Sequence, residues 1–133
     1  MRELNIAYGN NRQAKRWVNK TIRFDDLKER LKVTIRTTES AEEYAKMSRA
    51  QRDAAKDHGG FVAGVLKGGR RKVDTVESRS MVALDGDRID AAFLNNYETL
   101  CPYTSALYTT HSSTEENPRV RLVFPLTRDV TPE

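Results

Sequence analysis

The sequence changes its periodicity at Gly59-Gly60, and this change limits the possible folds more than any other feature. Before it, two helix capping boxes begin at Ser40 and Ser48, each with a Glu or Gln three residues later. They predict helix from about Ala41 to Asp57, broken near Ser48 and ended by the glycines. After it, short apolar runs between turn residues predict strands. Helices followed by strands in one short chain indicate an α+β fold, with an antiparallel sheet backed by helices.

Spacing predicts the remaining elements. Residues 61–66 and 79–85 indicate two strands of a hairpin with a long basic loop. Residues 81–84 are apolar at every position, as in a central strand covered on both faces. The other predicted elements are a strand at Leu4–Tyr8, helices at Phe24–Leu31 and 88–100, and strands at 103–110 and 119–124.

A length of 133 residues suits a single domain. Within it we expect residues 1–58 to be mostly helical and basic, and residues 59–133 to form the core of the sheet. The final Thr131-Pro132-Glu133 has the pattern of a helix start, with a cap, a proline and an acidic first turn. This pattern predicts a longer parent protein, and a frayed tail is the alternative.

Membrane and secreted classes are disfavoured. The longest apolar runs, such as residues 81–84, are a few residues long, whereas about 18 are needed to cross a bilayer. The first residues lack the apolar core of a signal peptide, and the single cysteine, Cys101, cannot form an internal disulfide. We therefore expect a cytoplasmic location.

Charge is distributed unevenly along the chain. Residues 1–72 contain 18 Lys and Arg against 9 Asp and Glu, and residues 73–133 contain 5 against 10, which together give the net charge of +4. A basic half joined to an acidic half suits a protein that holds a polyanion and gathers carboxylates around a cation. A solvated charged helix surface is the alternative for the basic half.

Asp85-Gly86-Asp87 is the first candidate site. Carboxylates at positions i and i+2 lie on the same side of a strand when its pleat continues, so both are able to hold one hard cation. Oxygen ligands suit Mg²⁺ or Mn²⁺, which keep waters and accept phosphate oxygens. The alternative is that Asp-Gly forms a turn and Asp87 caps a helix starting at Arg88.

Three further residues are candidates for phosphate binding. His111 follows an apolar run and two threonines, where an imidazole can donate to a phosphate oxygen, although a surface loop histidine fits equally. Arg119 and Arg121 alternate with apolar residues and therefore project from one face of a strand. Two guanidiniums on a shared face can bind phosphates, and a charged edge strand is the alternative.

The predicted hairpin has a basic tip, formed by Lys67, Arg70, Arg71 and Lys72. Its Lys67-Gly68-Gly69 lacks the Gly-Lys-Ser or Gly-Lys-Thr of a nucleotide P-loop, so we interpret it as a nucleic-acid contact. Other chemistries are disfavoured: one cysteine and two histidines make a structural zinc site improbable, and the patterns of serine hydrolases and deaminases are missing.

Residues 81–87, 108–113 and 118–126, in that order, resemble the archaeo-eukaryotic primase superfamily. The likeness is greatest to the primase-polymerase domains of phage and mobile-element replication proteins, including virulence-associated E-type primase-helicases. The resemblance implies catalytic metal-binding roles for Asp85 and Asp87, and nucleotide-binding roles for His111, Arg121 and, less directly, Arg119.

The resemblance also implies a fold and an activity. The fold would be a palm similar to RNA-recognition or ferredoxin-like units, and the activity would be metal-dependent nucleotidyl transfer on a DNA template with nucleoside triphosphates. A third acidic ligand would lie past residue 133, so we expect the 133-residue chain alone to be nearly inactive and a longer parent, with a helicase domain, to make primers. The alternatives are a noncatalytic nucleic-acid-binding initiator module and a structural or partner-binding domain.

Overall fold

A computed structural model describes residues 1–132 and consists of two antiparallel sheets backed by helices. The strands are β1 (Leu4–Gly9), β2 (Val18–Ile22), β3 (Gly60–Val62), β4 (Gly64–Leu66), β5 (Val76–Gly86), β6 (Ala106–Thr109) and β7 (Val120–Val130). The helices are α1 (Phe24–Leu31), α2 (Ala41–Lys46), α3 (Arg49–Lys56) and α4 (Ala91–Leu100). The predicted α+β class is confirmed.

The smaller sheet has the strand order β2-β1-β3. Its centre, β1, was predicted from alternation, and Leu4 and Ile6 are fully buried. The edge strand β2 was not predicted, because its Val-Asn-Lys-Thr-Ile sequence is almost wholly exposed and carries no alternating apolar signal. The first 58 residues, predicted to be mostly helical, therefore also contribute two strands.

The larger sheet has the order β4-β5-β7-β6, with α4 connecting β5 to β6. The predicted hairpin is confirmed in part, because Gly64 pairs with Arg79 and Leu66 with Val76. The predicted single strand at 61–66 is wrong. The chain changes sheets at Ala63, whose carbonyl accepts the Ser80 amide at 2.9 Å.

One core cluster joins α1 to both sheets. The helix contributes Phe24 and Leu27, each 1% exposed. These side chains pack with Leu4, Ile6, Ala63, Met81 and Val123. Burial of a large apolar side chain stabilises a fold by about 1.5–3 kcal/mol, so this cluster fixes the two sheets relative to each other.

The central strand β5 is covered on one face only. Met81 is buried, but Val82 and Leu84 are exposed, Leu84 by 50%. Successive side chains point to opposite faces, so these two project away from the core. The prediction that both faces of residues 81–84 are covered is therefore wrong, since an uninterrupted apolar run does not show whether another layer lies over it.

The helix caps agree closely with the sequence. Ser40 and Ser48 each complete a capping box, and the chain between α2 and α3 breaks at Met47 and Ser48, as predicted. The alternative that Asp87 caps the next helix is wrong. Asp90 is that cap, since its Oδ1 accepts the Phe93 amide at 2.8 Å, and α4 begins three residues later than predicted.

The two remaining strands differ from prediction in length. β6 is shorter than the predicted 103–110, and β7 extends six residues past the predicted end at 124. Thr131 and Pro132 have no regular secondary structure, and the rest of the predicted helix start, Glu133, lies outside the described residues. None of the helices described for residues 1–132 has the length and apolar character required to cross a bilayer.

A polar network ties β1 to β5 and β7. Ser80 Oγ and Arg2 Nη2 donate to Asp129 Oδ1 at 2.6 and 2.8 Å, and Asn5 Nδ2 donates to Asp129 Oδ2 at 2.7 Å. Ser80 is completely buried and also accepts the Asn5 amide at 2.9 Å. The Ser80 hydrogen bond, followed by those of Arg2 and Asn5, lowers the pKa of Asp129 against the opposing effect of partial burial.

Stability should therefore depend on the ionisation of Asp129. A carboxyl whose pKa is lowered by folding stabilises the fold above its unfolded pKa, and this stability is lost as the pH falls through the folded pKa. We expect Asp129→Asn to cost about 2 kcal/mol at neutral pH and much less at strongly acidic pH. Denaturant unfolding at both pH values measures this difference, and an equal cost at both would contradict the role of the charge.

Candidate functional site at the end of the larger sheet

Three strands bring Asp85, Arg121 and Tyr108 into one row. Asp85 of β5 pairs with Arg121 of β7, and Arg121 pairs with Tyr108 of β6. Directly paired residues share a face, so the three side chains project to the same side of the sheet. We call the region formed by the ends of β5 and β6 and the start of β7 the Asp85 end.

Asp85 and Arg121 form an ion pair. Arg121 Nε donates to Asp85 Oδ1 at 2.6 Å, and the two side chains are 42% and 56% exposed respectively. Burial raises the pKa of Tyr108 more than the neighbouring Arg121 lowers it. The row therefore holds a cation between an accessible carboxylate and a neutral phenol.

Asp87 lies one residue beyond the end of β5 and is exposed. It belongs to the Asp85 end, but the pleat that would align it with Asp85 stops at Gly86. In the part of the chain that the structure describes, His, Cys, Asp and Glu form no group of three that would hold a metal.

His111 follows β6 in a turn at the same end. Its Nε2 lies 3.3 Å from Glu39 Oε1, and its ring meets the edge of Tyr44 with centroids 4.9 Å apart. Tyr44 in turn hydrogen-bonds Ser112 at 2.9 Å. These contacts hold His111 against Glu39, which precedes α2, and against Tyr44, which lies within α2.

Glu39 was not identified from the sequence as a site residue. The Thr37 hydroxyl donates to it at 2.5 Å, and this bond, together with a backbone contact and His111, lowers the pKa of the carboxyl. Its side chain is only 11% exposed. Seventy-two positions separate Glu39 from His111, so no local spacing in the sequence could have indicated their contact.

Arg119 lies immediately before β7, two residues from Arg121. Its backbone is fixed, because Ser113 Oγ accepts its amide and its carbonyl accepts the Thr110 amide, each at 3.0 Å. Its buried Nε–H has no hydrogen-bond acceptor among residues 1–132. A buried donor without an acceptor costs free energy. The Arg119 Nε–H is such a donor among the described residues.

The basic tip does not join this group. Lys67 follows Leu66, which pairs with Val76 at the start of β5, whereas Asp85 lies nine residues further along that strand. At the usual rise per strand residue, the tip and Asp85 are about 30 Å apart. The structure thus gathers Asp85, Asp87, His111, Arg119 and Arg121 at one end and places Lys67, Arg70, Arg71 and Lys72 at the other.

Sequence comparison gives one informative match. The family described as the VapE N-terminal domain matches residues 1–133. No curated protein and no solved structure matches the chain.

Proposed function

Because the chain belongs to the VapE N-terminal domain family, we propose that its Asp85 end binds a nucleoside triphosphate together with Mg²⁺ or Mn²⁺. Membership in the family indicates a replication-associated protein of a phage or other mobile element. Within such a protein, this site would serve metal-dependent nucleotidyl transfer on a DNA template. The primase-polymerase resemblance of residues 81–87, 108–113 and 118–126 supports the same activity.

The observation that carries the proposal is the convergence of separate segments. Asp85, His111 and Arg121 come from three parts of the chain, and the pairing of β5, β6 and β7 brings them to one end of one sheet. A solvated charged surface does not require carboxylates, an imidazole and guanidiniums to meet in this way. A triphosphate with its cation requires both signs of charge together.

The ion pair at this site can exchange partners. Asp85 and Asp87 would hold the cation, which on binding would neutralise phosphate charge and activate a 3′ hydroxyl. Arg121 would then turn from Asp85 to the triphosphate, as its partial exposure permits. Each charge would keep a partner throughout the exchange, which avoids the cost of leaving either one unpaired.

The other two residues would orient the phosphates. The Arg119 backbone is fixed by two hydrogen bonds, which holds the residue beside the start of β7. Glu39 and Tyr44 fix the His111 ring, and Glu39 keeps its Nε2 beside a carboxylate. An imidazole held in this way is oriented for contact with a bound phosphate.

Calorimetry with Mn²⁺ and ATP tests the proposal. We expect Mn²⁺ to tighten nucleotide binding at least about tenfold, equivalent to about 1.4 kcal/mol, and Asp85→Asn to remove this coupling. Asparagine keeps an oxygen for Arg121, so the variant changes the charge with little change in shape. Asp74→Asn is the matched control, since Asp74 is exposed in the turn before β5, at the opposite end of that strand.

The second candidate is a noncatalytic nucleic-acid-binding module. It is favoured by the lack of a three-residue metal-ligand group within residues 1–132. This candidate predicts that neither Mn²⁺ nor ATP binds and that Asp85→Asn changes nothing. That result would contradict the nucleotide proposal.

A further inference from the structure

We propose that a basic cleft at the opposite end of β5 binds the phosphodiester backbone of a nucleic-acid strand without reading its bases. The cleft is lined by Ala14, Lys15, Arg70, Arg71 and Lys72 and has a volume of about 410 Å³. It combines the predicted basic tip with the loop between β1 and β2, which was not identified from the sequence as a functional segment. The inference stands independently of nucleotide binding at the Asp85 end.

Backbone contacts hold the two loops together. The Trp17 amide donates to the Gly69 carbonyl at 2.6 Å. Gly69 has a φ of 65°, and a Cβ at this position would lie 2.6 Å from the Trp17 carbonyl oxygen. Only glycine permits this approach, so the arrangement of the loops is set by the fold.

Arg71 lines the cleft. Its guanidinium carbon lies 5.1 Å from the centre of the Trp17 ring, and its Nη2 donates to the Arg12 carbonyl at 2.7 Å. The cation over the indole and the hydrogen bond orient a side chain that would otherwise be mobile. Arg71 is therefore pre-organised, which reduces the entropy lost when an anion binds.

The cleft carries charge of one sign. Residues 10–20 and 67–72 contain four Lys or Arg each and no Asp or Glu. The carboxylates of Asp53 and Asp57 contact the Arg12 side chain and amide respectively. Within residues 1–132, Lys15, Arg70 and Lys72 form no ion pair with a carboxylate. Four cations around one cleft favour a polyanion over a single small anion.

The position of Trp17 determines the kind of contact. Proteins that bind single strands through their bases stack them on exposed aromatic rings. Trp17 is only 4% exposed and is covered by Arg71, so it offers no surface for stacking. Binding should therefore be electrostatic and independent of sequence.

The distance between the cleft and Asp85 determines how long a nucleic acid must be to contact both. The cleft and Asp85 are about 30 Å apart along β5. A strand stacked at the 3.4 Å spacing of a duplex would span roughly nine nucleotide steps between the two, and an unstacked strand would need fewer. The cleft would thus hold a strand at a distance from the nucleotide site rather than beside it.

Salt dependence is the test. The probe is a fluorescent oligothymidylate of about 20 nucleotides, with binding measured by anisotropy between about 50 and 200 mM salt. Four phosphate contacts predict a logarithmic slope of about −2.8, an affinity loss of about 50-fold over this range. Lys15→Ala/Arg70→Ala removes two contacts and should reduce the loss to about 7-fold.

The matched control is Lys32→Ala/Lys46→Ala, which removes two exposed lysines from other parts of the surface. Its slope should equal that of the wild type. The proposal is overturned if the cleft variant keeps the wild-type slope, or if polyglutamate competes as well as the oligonucleotide. An equal affinity for oligoadenylate supports it, and a strong base preference overturns it.

The two sites can be separated experimentally. The cleft variant should keep coupled Mn²⁺ and ATP binding, and Asp85→Asn should keep oligonucleotide binding. Failure of nucleotide binding alone would contradict the proposed function and would not affect the proposal that the cleft binds nucleic acid. Failure of the salt test alone would contradict only the proposal that the cleft binds nucleic acid.

Discussion

Gly64→Ala is expected to cost at least about 4 kcal/mol in the free energy of unfolding, or to prevent folding altogether. A Cβ on Gly64 would lie 1.9 Å from the Ser78 carbonyl oxygen and 3.0 Å from the Arg79 Cα. Both atoms belong to the backbone of the neighbouring strand β5, so no side chain can move aside. The cost should therefore exceed the roughly 1–3 kcal/mol that is typical of overpacked cores.

Gly60→Ala is the control for this substitution. A Cβ at Gly60 would meet nothing within 4 Å, and its φ is not positive. We expect a change of less than about 1 kcal/mol, because alanine mainly restricts the unfolded chain. Equal costs for the two variants, measured by denaturant unfolding, would show that β4 does not approach β5 as closely as described.

Asn19→Ala is expected to cost about 3 kcal/mol. The Asn19 side chain joins the two sheets, because its Nδ2 donates to the Leu66 carbonyl at 2.8 Å and its Oδ1 accepts the Leu66 amide at 2.9 Å. One side chain thus replaces a backbone pairing between β2 and β4. Leu66 is completely buried, so alanine would leave two backbone groups without partners and without water.

Two further substitutions separate this contact from the general properties of β2. Thr21→Ala, at an exposed position of the same strand, should cost less than about 1 kcal/mol. Asn19→Asp keeps the acceptor but faces the Leu66 carbonyl with a second oxygen, so it should cost about as much as alanine. A cost for Asn19→Ala no greater than that for Thr21→Ala would contradict the bridging role.

The sequence predicted the elements whose signals are local. The capping boxes at Ser40 and Ser48 require residues only three apart, and both form where expected. The alternation of β1 and the spacing of Phe24, Leu27 and Leu31 likewise report one buried face. Alternation and helical spacing indicate which face of an element packs against the core.

Features that depend on neighbouring elements were missed. The edge strand β2 has no apolar alternation, because it is held by backbone pairing to β1 and by Asn19. The run of residues 61–66 concealed a change of sheet at Ala63. Leu84 is apolar yet half exposed, since nothing in a single strand specifies how many layers cover it.

In the candidate site, too, some features were predicted and others, which depend on tertiary structure, were missed. The resemblance of residues 81–87, 108–113 and 118–126 to a known family implied that Asp85, His111 and Arg121 lie together, and strand pairing brings them to one end of the sheet. The contact of Glu39 with His111 and the distance of the basic tip from Asp85 depend on the tertiary path of the chain. Neither could be inferred from spacing.

Paramagnetic broadening tests the central claim, nucleotide and metal binding at the Asp85 end, most directly. When Mn²⁺ and ATP are added to ¹⁵N-labelled protein, the amide signals of Gly86, Thr110 and Arg121 should broaden together. Those of Arg70 and Lys72, about 30 Å away along β5, should stay sharp. Broadening centred on residues 70–72, with Gly86 and Arg121 unaffected, would contradict the account.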